Sequence, residues 1–221
     1  MLKINSKSNK SVSKNLILDA SLIKMRQSTM DIFSKDSIDI FNDVTNNEFE
    51  YLKNFFHYKK YKKGDFIIKQ DELVTQVYFI VSGLVKLFYS DRQAKEFIVS
   101  FAFENWWETD FFAFYNQSKA VLNLQCIEST TVYGLHYADY LRMLDSCPQL
   151  IRYFLNKSIN GHIANQKRIL SLLELSPKIK YEQFLSAYPQ LVQRIPKSIL
   201  SSYLGVSRET LSRLYNNSDK K

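Results

Sequence analysis

Ile195-Pro196-Lys197-Ser198-Ile199-Leu200-Ser201-Ser202-Tyr203-Leu204-Gly205-Val206-Ser207-Arg208-Glu209-Thr210-Leu211-Ser212-Arg213-Leu214 reads as two short helices joined by a tight turn. Ile199 or Leu200, Leu204, Val206, Leu211 and Leu214 fall at spacings that give both helices a common apolar side. Ser201 is small enough for the helices to approach closely. Gly205 supplies a residue able to take positive φ in the turn. Ser207 is a good N-cap for the second helix, because its hydroxyl can accept an N–H left free in the first turn. The outward side of that helix then presents Arg208, Glu209, Ser212 and Arg213. Arginine donates two hydrogen bonds to a guanine edge and glutamate accepts one from cytosine, so these four are the expected base-reading residues. Ser207, Thr210, Lys197 and Arg194 are the expected phosphate contacts, with Lys178, Lys180, Lys220 and Lys221 nearby.

Upstream, Ser176-Pro177 marks a break, followed by a helix from about Lys178 to Ala187. Before the break, a helical pattern runs from Pro148 to Leu175, about 40 Å at 1.5 Å per residue. Ile151, Leu155, Ile159 and Ile163 form one i, i+4 row along it, and Leu170 continues the stripe. A helix of this length cannot bury its whole stripe within a small domain, so these five residues are expected to meet a second copy across a two-fold axis. Gly161 interrupts the helix at a cost of about 1 kcal/mol relative to alanine.

Between Tyr61 and Tyr137 the period shortens. Runs such as Gln76-Val77-Tyr78-Phe79-Ile80-Val81 and Leu84-Val85-Lys86-Leu87-Phe88-Tyr89 are strand-like, and no helix is visible between them. Six to eight short strands predict an all-β barrel or jelly roll. Ahead of it, Thr45-Asn46-Asn47-Glu48 has the form of a capping box opening a short helix that ends near Tyr58. The expected fold class is therefore α+β. It comprises an N-terminal extension over 1–44, a β-roll or jelly roll over 45–147, a dimerisation helix over 148–176 and a helix-turn-helix domain over 177–221, with any wing short or absent.

Bulk properties agree with a polyanionic partner. The 221 residues carry a formal charge of +8, with an isoelectric point near 9.3. The apolar runs are too short to span a membrane, and the N-terminus lacks a signal-peptide pattern, so a cytoplasmic protein is expected. Cys126 and Cys147 read as structural thiols, and His57, His136 and His162 read as structural residues instead of metal or haem ligands. Neither a nucleophile–base pair nor a phosphate loop points to an enzyme.

Taken with Lys63-Gly64-Asp65-Phe66-Ile67-Ile68 and Tyr78-Phe79-Ile80-Val81-Ser82-Gly83-Leu84-Val85-Lys86-Leu87, the segment Ser207-Arg208-Glu209-Thr210-Leu211-Ser212-Arg213 resembles the Crp/Fnr family of bacterial regulators. Arg208 is as in its cyclic-AMP branch and Ser212 as in its fumarate-nitrate branch. The resemblance runs from about Thr45 to Asn216 and implies a cyclic-nucleotide-binding-like roll, a homodimer, double-stranded DNA as partner, and RNA polymerase as a further one. Two departures matter. Asp71 stands where the family usually has glycine, and the phosphate-binding signature of a Gly-Glu pair followed by Arg-Ser or Arg-Thr is missing. That region reads Glu104-Asn105-Trp106-Trp107-Glu108-Thr109-Asp110 and Ser118-Lys119-Ala120-Val121-Leu122-Asn123, which offers carboxylates where a cyclic phosphate needs an arginine and free amides. No cofactor is expected, the effector is left open, and cyclic AMP does not suit this loop. Trp106 and Trp107 read as core aromatics. The alternative function is a small-molecule or nucleotide-sensing module acting through a protein partner.

Overall fold

The computed structural model describes residues 34–35, 38–174 and 176–218. Most of the N-terminal extension read from the sequence lies outside the described residues. Asp39–Phe41 form a 3-10 turn by themselves.

From Asp43 onward the chain forms a second unit. Its first helix, α1 (Asn46–Leu52), begins with the expected capping box: the Thr45 hydroxyl accepts the Glu48 N–H, and Glu48 accepts the Thr45 N–H at 2.7 Å. The helix ends earlier than its sequence predicts. After a 3-10 turn at Lys53–Phe55, β1 (Phe56–Tyr61) begins within the segment read as helical to about Tyr58. Phe55 and Phe56 suit either period, and the ladder of β1 with the last strand of the roll decides in favour of strand.

β2 (Phe66–Ile68), β3 (Gln76–Ser82), β4 (Val85–Ser90), β5 (Glu96–Ala102) and the two-residue β6 (Trp107–Glu108) follow. A short helix, α2 (Phe111–Asn116), then interrupts the strands before β7 (Asn123–Cys126) and β8 (Thr130–His136). No helix between strands was expected. Its signal is Asp110, whose side chain caps the Ala113 N–H and overrides the strand-like aromatic run Phe111-Phe112-Ala113-Phe114.

The strands make two antiparallel four-stranded sheets, ordered β1-β8-β3-β6 and β2-β7-β4-β5. Phe79, Ile80, Leu84, Leu124 and Leu135 are fully buried in this roll. Asp71, standing where the family resemblance expects glycine, takes φ 69°. Aspartate tolerates that left-handed conformation better than most residues.

Trp107 packs on Phe56 and Phe79 as expected of a core aromatic. It also reaches Phe154 and donates its indole N–H to Tyr153 at 3.0 Å. Trp106 lies nearer the surface, beside Phe103 and Tyr188. His57 and His136 meet edge to face, with ring centroids 5.2 Å apart.

α3 (Tyr137–Ser146) leads into the long helix α4 (Gln149–Glu174). Four helical segments complete the unit: α5 (Pro177–Ala187), a 3-10 turn at Pro189–Leu191, α6 (Lys197–Leu204) and α7 (Arg208–Ser218). Ser176 caps α5 by accepting the Ile179 N–H, which explains the break read at Ser176-Pro177. Among the described residues after Pro177 there is no strand, hence no wing there.

The C-terminal helices share one core with the roll. Leu84, Phe88, Ile98, Phe101 and Ile127 of the roll meet Tyr181, Phe184, Leu191, Ile195, Leu200, Leu204 and Leu211.

Inside the roll, Glu108 is buried, accepting from the Ser100 hydroxyl at 2.8 Å and from the Thr109 N–H at 3.1 Å. Burial pushes its carboxyl up to about 7, with Asp110 adding repulsion against the two hydrogen bonds. A carboxyl whose folded-state value is raised binds more protons folded than unfolded between pH 4.5 and about 7, so stability falls as pH rises through that window. Glu108→Gln is therefore expected to be more stable than the parent chain above pH 7, by about 3 kcal/mol at most. The gain should fade toward pH 4.5. Urea titrations at pH 5 and pH 8 check it.

Candidate nucleic-acid interface

α6 and α7 meet through the turn predicted from sequence. Gly205 takes φ 65° and ψ 37°, and its N–H bonds the Ser202 carbonyl at 3.2 Å. The Val206 N–H returns to the Ser201 carbonyl at 3.0 Å, completing a Schellman closure that satisfies the last carbonyls of α6. Ser201 is buried at the contact, as its size requires. Ser207 starts α7: its Oγ accepts the Thr210 N–H at 3.1 Å and bonds the Thr210 hydroxyl at 3.0 Å.

Leu211 turns inward and is fully buried, leaving Arg208, Glu209 and Arg213 exposed on the other side and Ser212 half-buried beside them. The Glu209 carboxyl is held below its usual range, first by its own backbone N–H and then by the Ser207 hydroxyl, with Arg208 and Arg213 adding attraction. It therefore stands ionised as an acceptor between two guanidinium donors. Arg213 leans back toward Thr210 Oγ1, 3.5 Å away. Lys197 is exposed at the start of α6, its Nζ 4.0 Å from the centre of the Tyr215 ring.

Arg194 does not stand with the phosphate contacts expected of it. Its guanidinium is gripped by two carboxylates of the roll: Nη1 and Nη2 each donate to Glu104 at 2.9 Å, and Nη2 and Nε donate to Glu128. Glu104 also accepts the Gly83 N–H at 2.8 Å. The paired carboxylates raise the Arg194 guanidinium above its usual range, and that of Glu104 is lowered by Arg194 against the effect of burial. Its partners lie 66 and 90 residues away in sequence, so no local pattern announced the clamp.

A second arginine missed from sequence is Arg168 on α4. It donates to the Ile98 carbonyl of β5 at 2.7 Å and to the Tyr203 carbonyl of α6 at 3.0 Å, and lies 3.6 Å over the Tyr203 ring. Burial lowers its pKa, with Tyr203 and Tyr188 opposing that effect. Ser202 adds a bond from its hydroxyl to the Glu96 carbonyl at 3.1 Å. The exposed end of α7 is thus fixed relative to the roll by an apolar core, two arginines and one serine.

The stripe on α4 is exposed along its length. Ile151, Leu155, Ile159, Ile163 and Leu170 retain between 42% and 56% of their surface open. Among the described residues no helix is long and apolar enough to cross a membrane, and no group of three or more His, Cys, Asp or Glu side chains is placed to hold a metal ion.

Residues 58–147 match the family model described as the cyclic nucleotide-binding domain. Among solved structures, FixK2 from Bradyrhizobium japonicum superposes with a TM-score of 0.66 at 17% identity, covering 75% of this chain and 85% of that one. The c-di-GMP responsive global regulator CLP from Xanthomonas campestris gives 0.63 at 12% identity, covering 80% and 92%. A CooA mutant from Carboxydothermus hydrogenoformans gives 0.63 at 17% identity, covering 77% and 79%. This chain has the fold of the Crp/Fnr regulators. Comparison with curated protein sequences found no match.

Within this Crp/Fnr fold, Gly205 is the residue on which the outward aim of α7 turns. A Cβ there would meet Leu172 Cδ2 at 3.4 Å, ordinary contact, so the penalty comes from φ rather than from crowding. Gly205→Ala is expected to cost about 1 to 2 kcal/mol. Thermal unfolding of the whole chain measures it, and an unchanged midpoint would contradict the turn geometry.

Proposed function

We propose that this chain is a sequence-specific, DNA-binding transcription regulator that acts as a homodimer on a pseudo-palindromic site. The observation that carries the reading is the N-terminal half of α7, where Arg208, Glu209 and Arg213 are exposed on a helix capped by Ser207 and closed off from α6 by Gly205. A helix so presented fits the major groove with its first turns against base edges. Arg208 and Arg213 seek guanines, Glu209 accepts from a cytosine and Ser212 adds an adaptable hydroxyl, so each half-site contains at least one G·C pair. Ser207, Thr210 and Lys197 face the phosphates. Arg194 is left out of that set, because two carboxylates already neutralise it.

The exposed stripe of α4 supports the dimer. Five large aliphatic side chains in one row are costly in water, and a two-fold mate covers all of them at once. The proposed division of labour is a sensory roll over 45–147, a dimerisation helix over 148–176 and the reading domain over 177–221, in a cytoplasmic protein that meets RNA polymerase at its promoters. FixK2 and CLP share the fold at low identity, and the CLP structure is described as that of a global regulator of gene expression.

Two experiments test this reading. Ile159→Glu combined with Ile163→Glu is expected to convert a dimer to a monomer in sedimentation velocity; a parent chain that is monomeric both free and on DNA would end the dimer proposal. In binding assays on sites selected in vitro, half-site centres should lie about 10 to 11 base pairs apart. Arg213→Ala should then cost about 1 to 3 kcal/mol per half-site and relax preference at one position. Lys197→Ala should weaken all sequences alike and lower the salt slope by about one. Arg213→Ala leaving affinity and base preference untouched would refute the assignment of α7 as the reading helix.

A further inference from the structure

The cyclic nucleotide-binding description of residues 58–147 implies a ligand with a phosphodiester. Such a group carries one negative charge and binds where N–H or guanidinium donors are free to meet it. The family resemblance places those donors in the stretch from Glu104 to Asn123, and there the structure shows them taken. Asp110 is 2% exposed, at the junction of β6 and α2. Its Oδ2 accepts the Val121 N–H at 2.8 Å and the Leu122 N–H at 3.0 Å, and its Oδ1 accepts the Ala113 N–H at 3.1 Å. Two of these amides come from the segment entering β7 and one from the first turn of α2, so a single carboxylate ties both arms of the loop together.

The surroundings complete the mismatch. No arginine occurs between Arg92 and Arg142, and Lys119, the cation next to the two bonded amides, is exposed to solvent. Two residues before Asp110, Glu108 places a second buried carboxyl close enough for the two to repel. On the flank toward α4, Trp107 is packed on Phe154 and bonded to Tyr153. A phosphate approaching this loop meets carboxyl groups instead of a guanidinium and must displace three hydrogen bonds from a buried anion before making any of its own.

We infer that Asp110 is a resident stand-in for the ligand phosphate: the roll closes this loop on its own carboxylate, and a cyclic nucleotide does not bind there. The loop keeps its closed form with no ligand, and any effector of the roll is not recognised through an anionic group at these amides. This inference concerns the roll and holds independently of what the C-terminal helices bind.

Three readings on the whole chain test it. Calorimetry with cyclic AMP and with cyclic GMP at about 1 mM should show no saturable heat. Hydrogen exchange should show the Val121 and Leu122 amides protected in the chain without additives and unchanged by either nucleotide. Asp110→Ala should lower the unfolding midpoint, and inorganic phosphate or acetate at constant ionic strength should restore part of that loss while leaving the parent chain unmoved. If the alanine variant does not fold, Asp110→Asn keeps an acceptor for the Ala113 N–H, removes the charge, and is read for the same anion response. Saturable nucleotide binding that alters exchange at Val121 and Leu122, unprotected amides at those positions, or a variant indifferent to small anions would each overturn the inference.

Discussion

The direction in which α7 points depends on the core that the C-terminal helices share with the roll. Phe88, Ile98 and Phe101 lie in one buried apolar cluster with Phe184, Leu200 and Leu204. Apolar burial is non-directional, so it brings the two parts together without fixing their rotation. Arg168 supplies the direction. Its planar fork demands two acceptors at set angles, and it finds them in carbonyls of β5 and α6 while its face rests on Tyr203. Burial of this guanidinium lowers its pKa, and its contacts with Tyr203 and Tyr188 oppose that effect.

The second constraint is the clamp around Arg194. It ties the segment just before α6 to the β5–β6 loop through Glu104 and to the turn before β8 through Glu128. Glu104 is itself held by the Gly83 N–H, which fixes the position of the carboxylate that Arg194 meets. Each of these groups is partly exposed, so the stabilisation is modest and sensitive to salt. The clamp defines position more than it adds strength.

The parts legible in the sequence are those whose chemistry is local. The capping box at Thr45 and Glu48, the Schellman closure at Gly205, the cap at Ser207 and the break at Ser176-Pro177 each involve residues within about five positions of one another, and each is present. The i, i+4 row on α4 was readable for the same reason. What the sequence concealed is settled by distant partners. The strand beginning at Phe56 forms because β8 lies beside it, and α2 forms in an aromatic run because Asp110 caps it while gripping Val121 and Leu122. Arg194 read as a phosphate ligand because its carboxylates lie in other elements. The resemblance to Crp/Fnr regulators carried the order of the parts correctly, and the departures noted at Asp71 and in the loop after Glu104 turned out to have geometric content.

One consequence of the shared core concerns modularity. In a chain whose C-terminal helices hang from a linker, those helices can be transplanted onto another domain with little loss. Here Tyr181, Phe184, Leu191, Ile195, Leu200 and Leu204 find part of their packing in Leu84, Phe88, Ile98, Phe101 and Ile127. Excising the segment after Pro177 strips that cover from half a dozen large side chains, and grafting it onto an unrelated partner leaves the same surface bare. The roll and the C-terminal helices of this chain are therefore coupled as one body, each substitution in β4 or β5 being felt on the underside of α6.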